Sequence, residues 1–297
     1  MKKLITVIVA FLLCISSVAA FAESEAEWDY VLPLSVLTSN YNILVNRDNL
    51  LDSSYVPTNL ISVPVRKKSS AVVQLDEVVA AAVENLFADA ALVTEYTYRV
   101  KNASGNWEEV SWSDSNGLQL LLVSGYRSYS SQYTIYNNYL ARNNGVDDGI
   151  SSPPGASEHQ TGYACDIISV EYNNNNKYMN DSFYETPEAQ WMEEFCATYG
   201  FIIRYPEDKE DITQVPYEPW HLRYVGRDIA GYIKRSGLSY EEFSAEWQAE
   251  LAAFLAAGGD VNAQLLLEST ETDTALESYV SDELGEDGDP EVHLSLW

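Results

Sequence analysis

Two of the three histidines in this 297-residue chain stand close to carboxylates at short spacing: Ser157-Glu158-His159 runs on to Asp166, and Glu218 precedes His221 by three positions. Imidazole and carboxylate are borderline-to-hard donors suited to zinc. Three protein ligands with a fourth position open are what a catalytic zinc needs to hold a water. His159, Asp166 and His221 can supply that set for one ion, and Glu218 beside it could take a proton from the water. Singly, each has a plainer reading, since an isolated histidine is more often a hydrogen-bonded packing residue and an aspartate an ordinary turn acid. Two histidines and two acids in two short segments favour the metal. His293 lacks such context and is left out. If the segment carrying Asp166 is a strand, its neighbour Cys165 points to the opposite face and is not a ligand.

The pattern Ser157-x-His159-x-x-Gly162-x-Ala164-x-Asp166, followed by Glu218-x-Trp220-His221, resembles the signature of the VanY-type D-alanyl-D-alanine carboxypeptidases, zinc peptidases that trim peptidoglycan stem peptides. Ser124-Gly125-Tyr126-Arg127-Ser128, Ser152-Pro153-Pro154-Gly155 and the run from Gly200 to Pro206 resemble the same family, so the likeness extends from about Tyr41 to Glu242. The resemblance implies an α+β fold, a single zinc-peptidase domain with a central, mainly antiparallel sheet flanked by helices. It also implies that Arg127 contacts substrate, either polarising the scissile carbonyl or binding the terminal carboxylate. Read on its own, Arg127 ends an apolar strand and is either a guanidinium fork for a free carboxylate or a surface arginine capping the next helix. Ser157 could assist it. Gln132 either lines the same pocket or is a solvated helix residue.

These residues need elements to carry them. Leu118 to Val123 is a nearly continuous apolar run and predicts a buried central strand delivering Arg127 at its end. Ala164 to Val170 has strand character and carries Asp166, with Gly162 and Ala164 small where bulk would crowd the site. Glu218 to Val225 predicts a strand with Pro219 at its start or edge; Trp220 is read as packing that supports the His221 ring. Around these lie predicted helices over Leu75 to Phe87, Ser130 to Arg142, and Thr186 to Gly200, the last opened by an N-cap and an N1 proline and buried through Trp191, Met192, Phe195, Cys196 and Tyr199. Val93 to Val100 and Trp107 to Trp112 predict a hairpin. Phe201 to Tyr205 predicts a strand; Asp228 to Ser236 and Ser239 to Leu255 predict helices.

Lys2 and Lys3, the apolar run from Leu4 to Ile15 and Ala20-Phe21-Ala22 read as a cleaved signal peptide over residues 1–22, which places the mature chain outside the cytoplasm. The apolar run is too short for a comfortable membrane span. The formal net charge of −28 becomes −30 without the two signal lysines, which argues against nucleic acid or anionic lipid as partners. Residues 23–40 read as a lead-in, 41–245 as the zinc carboxypeptidase catalytic domain, and 246–297 as a helical, then acidic and mobile tail; the protein is expected to be a monomer. No Lys or Arg follows Arg235. Cys165 and Cys196 can form a disulfide or be buried thiols.

The primary expectation is therefore a secreted zinc carboxypeptidase acting on the C-terminal D-alanine of stem peptides. Cleavage of an L,D bond in tetrapeptide stems fits the same ligands. A non-catalytic, zinc-stabilised wall-binding module is a reading from another class, and Glu218, which a purely structural site does not require, speaks against it. A binding protein using its 21 tyrosines leaves the histidine and acid pattern unexplained.

Overall fold

The computed structural model describes residues 26–69, 72–176 and 178–283. The signal-peptide stretch and His293 lie outside them. In chain order the elements are α1 (Leu34–Leu37), β1 (Leu60–Ser62), β2 (Gln74–Asp76), α2 (Glu77–Ala90), β3 (Glu95–Lys101), β4 (Trp107–Ser113), β5 (Leu120–Ser124), α3 (Tyr129–Arg142), β6 (Ala164–Ser169) and α4 (Val170–Asn175). They continue with α5 (Pro187–Phe195), β7 (Phe201–Ile203), α6 (Glu210–Thr213), β8 (His221–Tyr224), α7 (Arg227–Ser236), α8 (Tyr240–Ala256) and α9 (Val261–Glu283). Among the described residues no helix is long and apolar enough to cross a membrane.

The chain divides into two compact units, one comprising residues 35–248 and the other residues 1–34 with 249–297. The first holds the expected α+β architecture: an antiparallel sheet in the order β5-β6-β8-β7, with β1-β2 and β3-β4 as separate antiparallel pairs. The predicted hairpin is β3-β4. Local chemistry sets the helix starts. The Thr186 hydroxyl caps α5 ahead of Pro187 as the sequence predicts, and the Ser128 hydroxyl caps α3 by accepting from Ser131 N, one residue ahead of the predicted start. One core joins Leu75 of β2, Val79, Val83 and Leu86 of α2, the apolar residues of β5 and β6, Leu222 of β8 and Trp191 and Met192 of α5.

Some expectations need correcting. Leu118 to Val123 does not form a central strand: β5 ends the sheet order. Its double-sided burial survives because the chain at 66–68 covers the open edge, with Lys68 N donating to Leu122 O and Leu122 N to Arg66 O, both at 2.9 Å. Leu75 belongs to β2 rather than the helix, whose start is fixed by Asp76 accepting from Val78 N. Val78 and Phe195 are exposed, although helical spacing puts both in apolar stripes. Gly162 is small for a reason away from the site. It adopts φ +76°, and a Cβ there would come within 2.9 Å of Leu60 Cδ2. Cys165 and Cys196 are free, buried thiols.

In the second unit, Trp28 meets Phe254 edge-on at 5.6 Å, and Leu34 N donates to Glu268 Oε1 at 2.9 Å. The described part of the expected tail is helical over α9, because Asp260 Oδ1 accepts from Asn262 N and Ala263 N and so caps its first turn.

Candidate metal centre

The two middle strands of the sheet carry two of the three predicted ligands. Asp166 on β6 and His221 on β8 are direct partners in the antiparallel register, and Ser124 on β5 is the partner of Asp166 on its other side. Opposed residues of one sheet face have Cβ atoms roughly 4.5–5.5 Å apart, so pairing alone brings the carboxylate and the imidazole together. A register irregularity between Leu122 and Ser124 then turns the end of β5 toward them.

The third ligand comes from a 3₁₀ turn, Glu158–Thr161, ended by the left-handed Gly162. The turn that follows β5 braces it. Arg127 N donates to His159 O at 3.1 Å, and His159 Nδ1 lies 2.8 Å from Gly125 O. Gly125 also packs tightly against β2, where a Cβ would stand 2.5 Å from Gln74 O. With Nδ1–H committed to that carbonyl, the free lone pair of a neutral His159 is on Nε2, 3.4 Å from Asp166 Oδ2.

His221 presents its other nitrogen: Nδ1 is 3.2 Å from Asp166 Oδ1. Donor atoms of His159, Asp166 and His221 all lie within 4.8 Å of one another, and the three residues are buried. Donors bound at 2.0–2.1 Å to a tetrahedral zinc stand about 3.3–3.4 Å apart. His159 and His221 each approach a different oxygen of Asp166, at 3.4 and 3.2 Å, and the two-nitrogen, one-carboxylate donor set suits that ion.

Electrostatics grade the groups. For Asp166, burial raises the pKa, but His159 and His221 more than reverse it and hold the carboxyl well below its usual range. Burial lowers the His159 pKa against the pull of Asp166, which leaves a neutral ligand. His221 goes the other way: burial opposes its charge, yet the neighbouring Asp166 and Glu158 carboxylates raise it to about 9 in the metal-free protein. Glu218 enters from the loop before β8, its amide donating to Tyr205 O and its Oε2 3.6 Å from His221 Nδ1. Burial, only partly offset by His221, pushes its carboxyl up to about 7.

Arg127 is brought to the same place and locked. Its Nη1 donates to Gln132 Oε1 at 2.7 Å and its Nη2 to Ser124 Oγ at 3.1 Å, with Asp166 Oδ2 4.0 Å away. Gln132 is buried rather than solvated, and its other end donates to Ser152 O at 2.6 Å. Ser157 is buried at the cavity wall, and its side chain makes no capping bond to the 3₁₀ turn. All seven predicted site residues line one cavity of about 350 Å³, with Ile150, Tyr178 and Trp220 on its apolar walls.

The family model described as VanY, D-alanyl-D-alanine carboxypeptidase, matches residues 98–227. The bifunctional D-Ala-D-Ala dipeptidase and D-Ala-D-Ala carboxypeptidase VanXYC of Enterococcus gallinarum is 32% identical over 148 residues, 49% of this chain and 77% of that protein. The chain belongs to the VanY family. The protein YodJ of Bacillus subtilis (strain 168) is 44% identical over 128 residues, 43% of this chain; the match spans only 46% of YodJ itself. Among solved structures, the LdcB LD-carboxypeptidase shares 31% identity with a TM-score of 0.56, covering 73% of this chain and 92% of that one.

Beyond the VanY-type motif, sequence reasoning missed a buried network behind it. Glu158 is 0% exposed, with Oε1 accepting from Arg204 Nε and Arg223 Nη1, both at 2.7 Å. Burial raises its pKa, but the two guanidinium groups outweigh this and keep the carboxyl well below the usual range. Arg223 Nη2 also donates to Tyr41 O and Ile43 O, which ties down the chain at 41–43. The signal was an arginine inside an otherwise apolar strand, Leu222-Arg223-Tyr224. The Tyr205 ring also packs on His221, at 5.0 Å between centroids, and the His159 ring stands at the same distance.

Proposed function

We propose that the chain is a zinc-dependent carboxypeptidase that removes the C-terminal D-alanine from peptidoglycan stem peptides, working as a monomer outside the cytoplasm. The observation that carries this reading is the convergence on one cavity of a three-ligand donor set, a buried carboxyl raised to about 7, and a fixed guanidinium. A zinc ion held by His159, Asp166 and His221 supplies Lewis acidity toward a peptide carbonyl and toward water.

The chain's own groups do the rest. Glu218 is tuned to accept a proton near neutrality and return it to the leaving amine. Arg127, held by Gln132 and Ser124, offers a rigid fork to the terminal carboxylate or to charge developing on the scissile carbonyl. Ser157 adds a hydroxyl at the cavity wall. Ile150, Tyr178 and Trp220 suit a small apolar side chain such as a methyl group. The extracytoplasmic placement is supported by the basic, apolar and small-residue pattern of residues 1–22.

The likeness to the LdcB LD-carboxypeptidase favours a second reading, removal of D-alanine from tetrapeptide stems by cleavage of an L,D bond. Mass spectrometry of pentapeptide and tetrapeptide muropeptides, incubated with zinc-loaded, chelated and Glu218→Gln protein, separates the two. Loss of one D-alanine from the pentapeptide supports the first reading and loss from the tetrapeptide the second. An intact pair of substrates despite stoichiometric zinc refutes both.

A further inference from the structure

His159 and His221 are oriented by different means. The outer nitrogen of His159 meets a backbone carbonyl, Gly125 O. Behind His221 lies a fully buried carboxylate, Glu158, one position before His159 in sequence. Its Oε1 is taken by Arg204 and Arg223. Its Oε2 has no hydrogen-bond partner, and neither has His221 Nε2; the two atoms are 3.7 Å apart. That is about 0.5 Å beyond ordinary hydrogen-bond range, and each is a buried polar atom that is costly to leave unpaired. On the other edge of the same ring, Nδ1 is the atom near Asp166 Oδ1 and Glu218 Oε2.

We propose that Glu158 is a positioning residue that decides which nitrogen of His221 binds the metal: its Oε2 receives the Nε2–H and holds the proton there, leaving the Nδ1 lone pair for zinc. The inference rests on the zinc reading above. A neutral imidazole carries one N–H, so the nitrogen that donates outward fixes the other as the ligand. An ionised carboxylate can only accept, so it admits one tautomer. The network around Glu158 makes this workable in the interior. Arg204 donates to Glu241 through Nη1 at 2.8 Å and Nη2 at 2.6 Å, so two guanidinium groups face two carboxylates and the cluster is neutral. Both arginine bonds fall on Oε1, which fixes the carboxylate plane while leaving Oε2 to the imidazole.

Glu158→Gln tests the assignment. The amide oxygen can still accept from both arginines, but the amide NH₂ then points toward Nε2 and favours the tautomer with its proton on Nδ1. Zinc affinity, measured by competition with a chromophoric chelator, should fall about 10–100-fold. Glu241→Gln injures the same arginine without touching His221 and should change zinc affinity by no more than about twofold. Nitrogen NMR of the zinc-loaded parent should find the His221 proton on Nε2, and this arm stands even if circular dichroism finds Glu158→Gln unfolded. Equal losses of affinity in the two variants, or zinc on Nε2 of the parent, overturn the proposal alone. A parent protein that takes up no zinc overturns the zinc reading and this inference together.

Discussion

Glu218→Gln should abolish most turnover while stabilising the metal-free protein at alkaline pH. The Glu218 side chain is 17% exposed, and burial raises its carboxyl from 4.5 to about 7. Between those values the folded protein keeps a proton that the unfolded chain has released. The stability this group contributes is therefore fully present below about 4.5 and lost as pH rises through about 7. A displacement of that size corresponds to about 3 kcal/mol, net of the His221 attraction that already offsets part of the burial. Glutamine carries no charge to bury. Thermal melts of the chelated proteins should place the variant several degrees above the parent near pH 8 and level with it near pH 4. Loss of the base should cost roughly 10²–10⁴-fold in kcat, with zinc content unchanged because Glu218 lies outside the ligand set. A variant no more stable than its parent at alkaline pH would refute the burial argument, and one that retains parental turnover would refute the role as base.

Zinc binding should itself depend on pH. In the metal-free protein His221 titrates at about 9, so zinc must displace its proton. Affinity measured by chelator competition is expected to climb roughly tenfold per unit between about pH 6 and 8, and a flat profile counts against the assignment. Arg127→Lys keeps the charge but loses the fork held by Gln132 and Ser124. Its kcat/KM on the preferred muropeptide should drop on the order of 10²-fold, and a value close to the parent's would dismiss Arg127 as a substrate contact. Gly162→Ala forces a Cβ into φ +76° and to 2.9 Å from Leu60 Cδ2. It should cost about 1–3 kcal/mol, read as a lowered Tm, with an unchanged melt as the contrary result.

The chemistry of the site was legible because it is carried by residue type and short spacing. His159, Asp166 and His221 offer a donor set with the Glu218 carboxylate beside it in two short segments, and Thr186 and Pro187 mark a helix start through a hydrogen bond and a φ restriction that span only a turn. The hairpin of β3 and β4 was readable for the same reason. What the sequence could not determine was decided by pairing and burial between distant segments. The cross-strand match of Asp166 with His221 is a matter of register, and β5 sits at the sheet edge because 66–68 covers it. Apolar spacing assigned Val78 and Phe195 to the interior, yet neither meets a covering layer. Arg204 and Arg223 lie in predicted strands, but arginines are mostly exposed and only the fold places Glu158 and Glu241 against them. Local sequence determines which groups can do chemistry and how short elements begin; the depth at which they lie, and hence their pKa values and partners, is a sum over contacts that exist only once the chain has closed on itself.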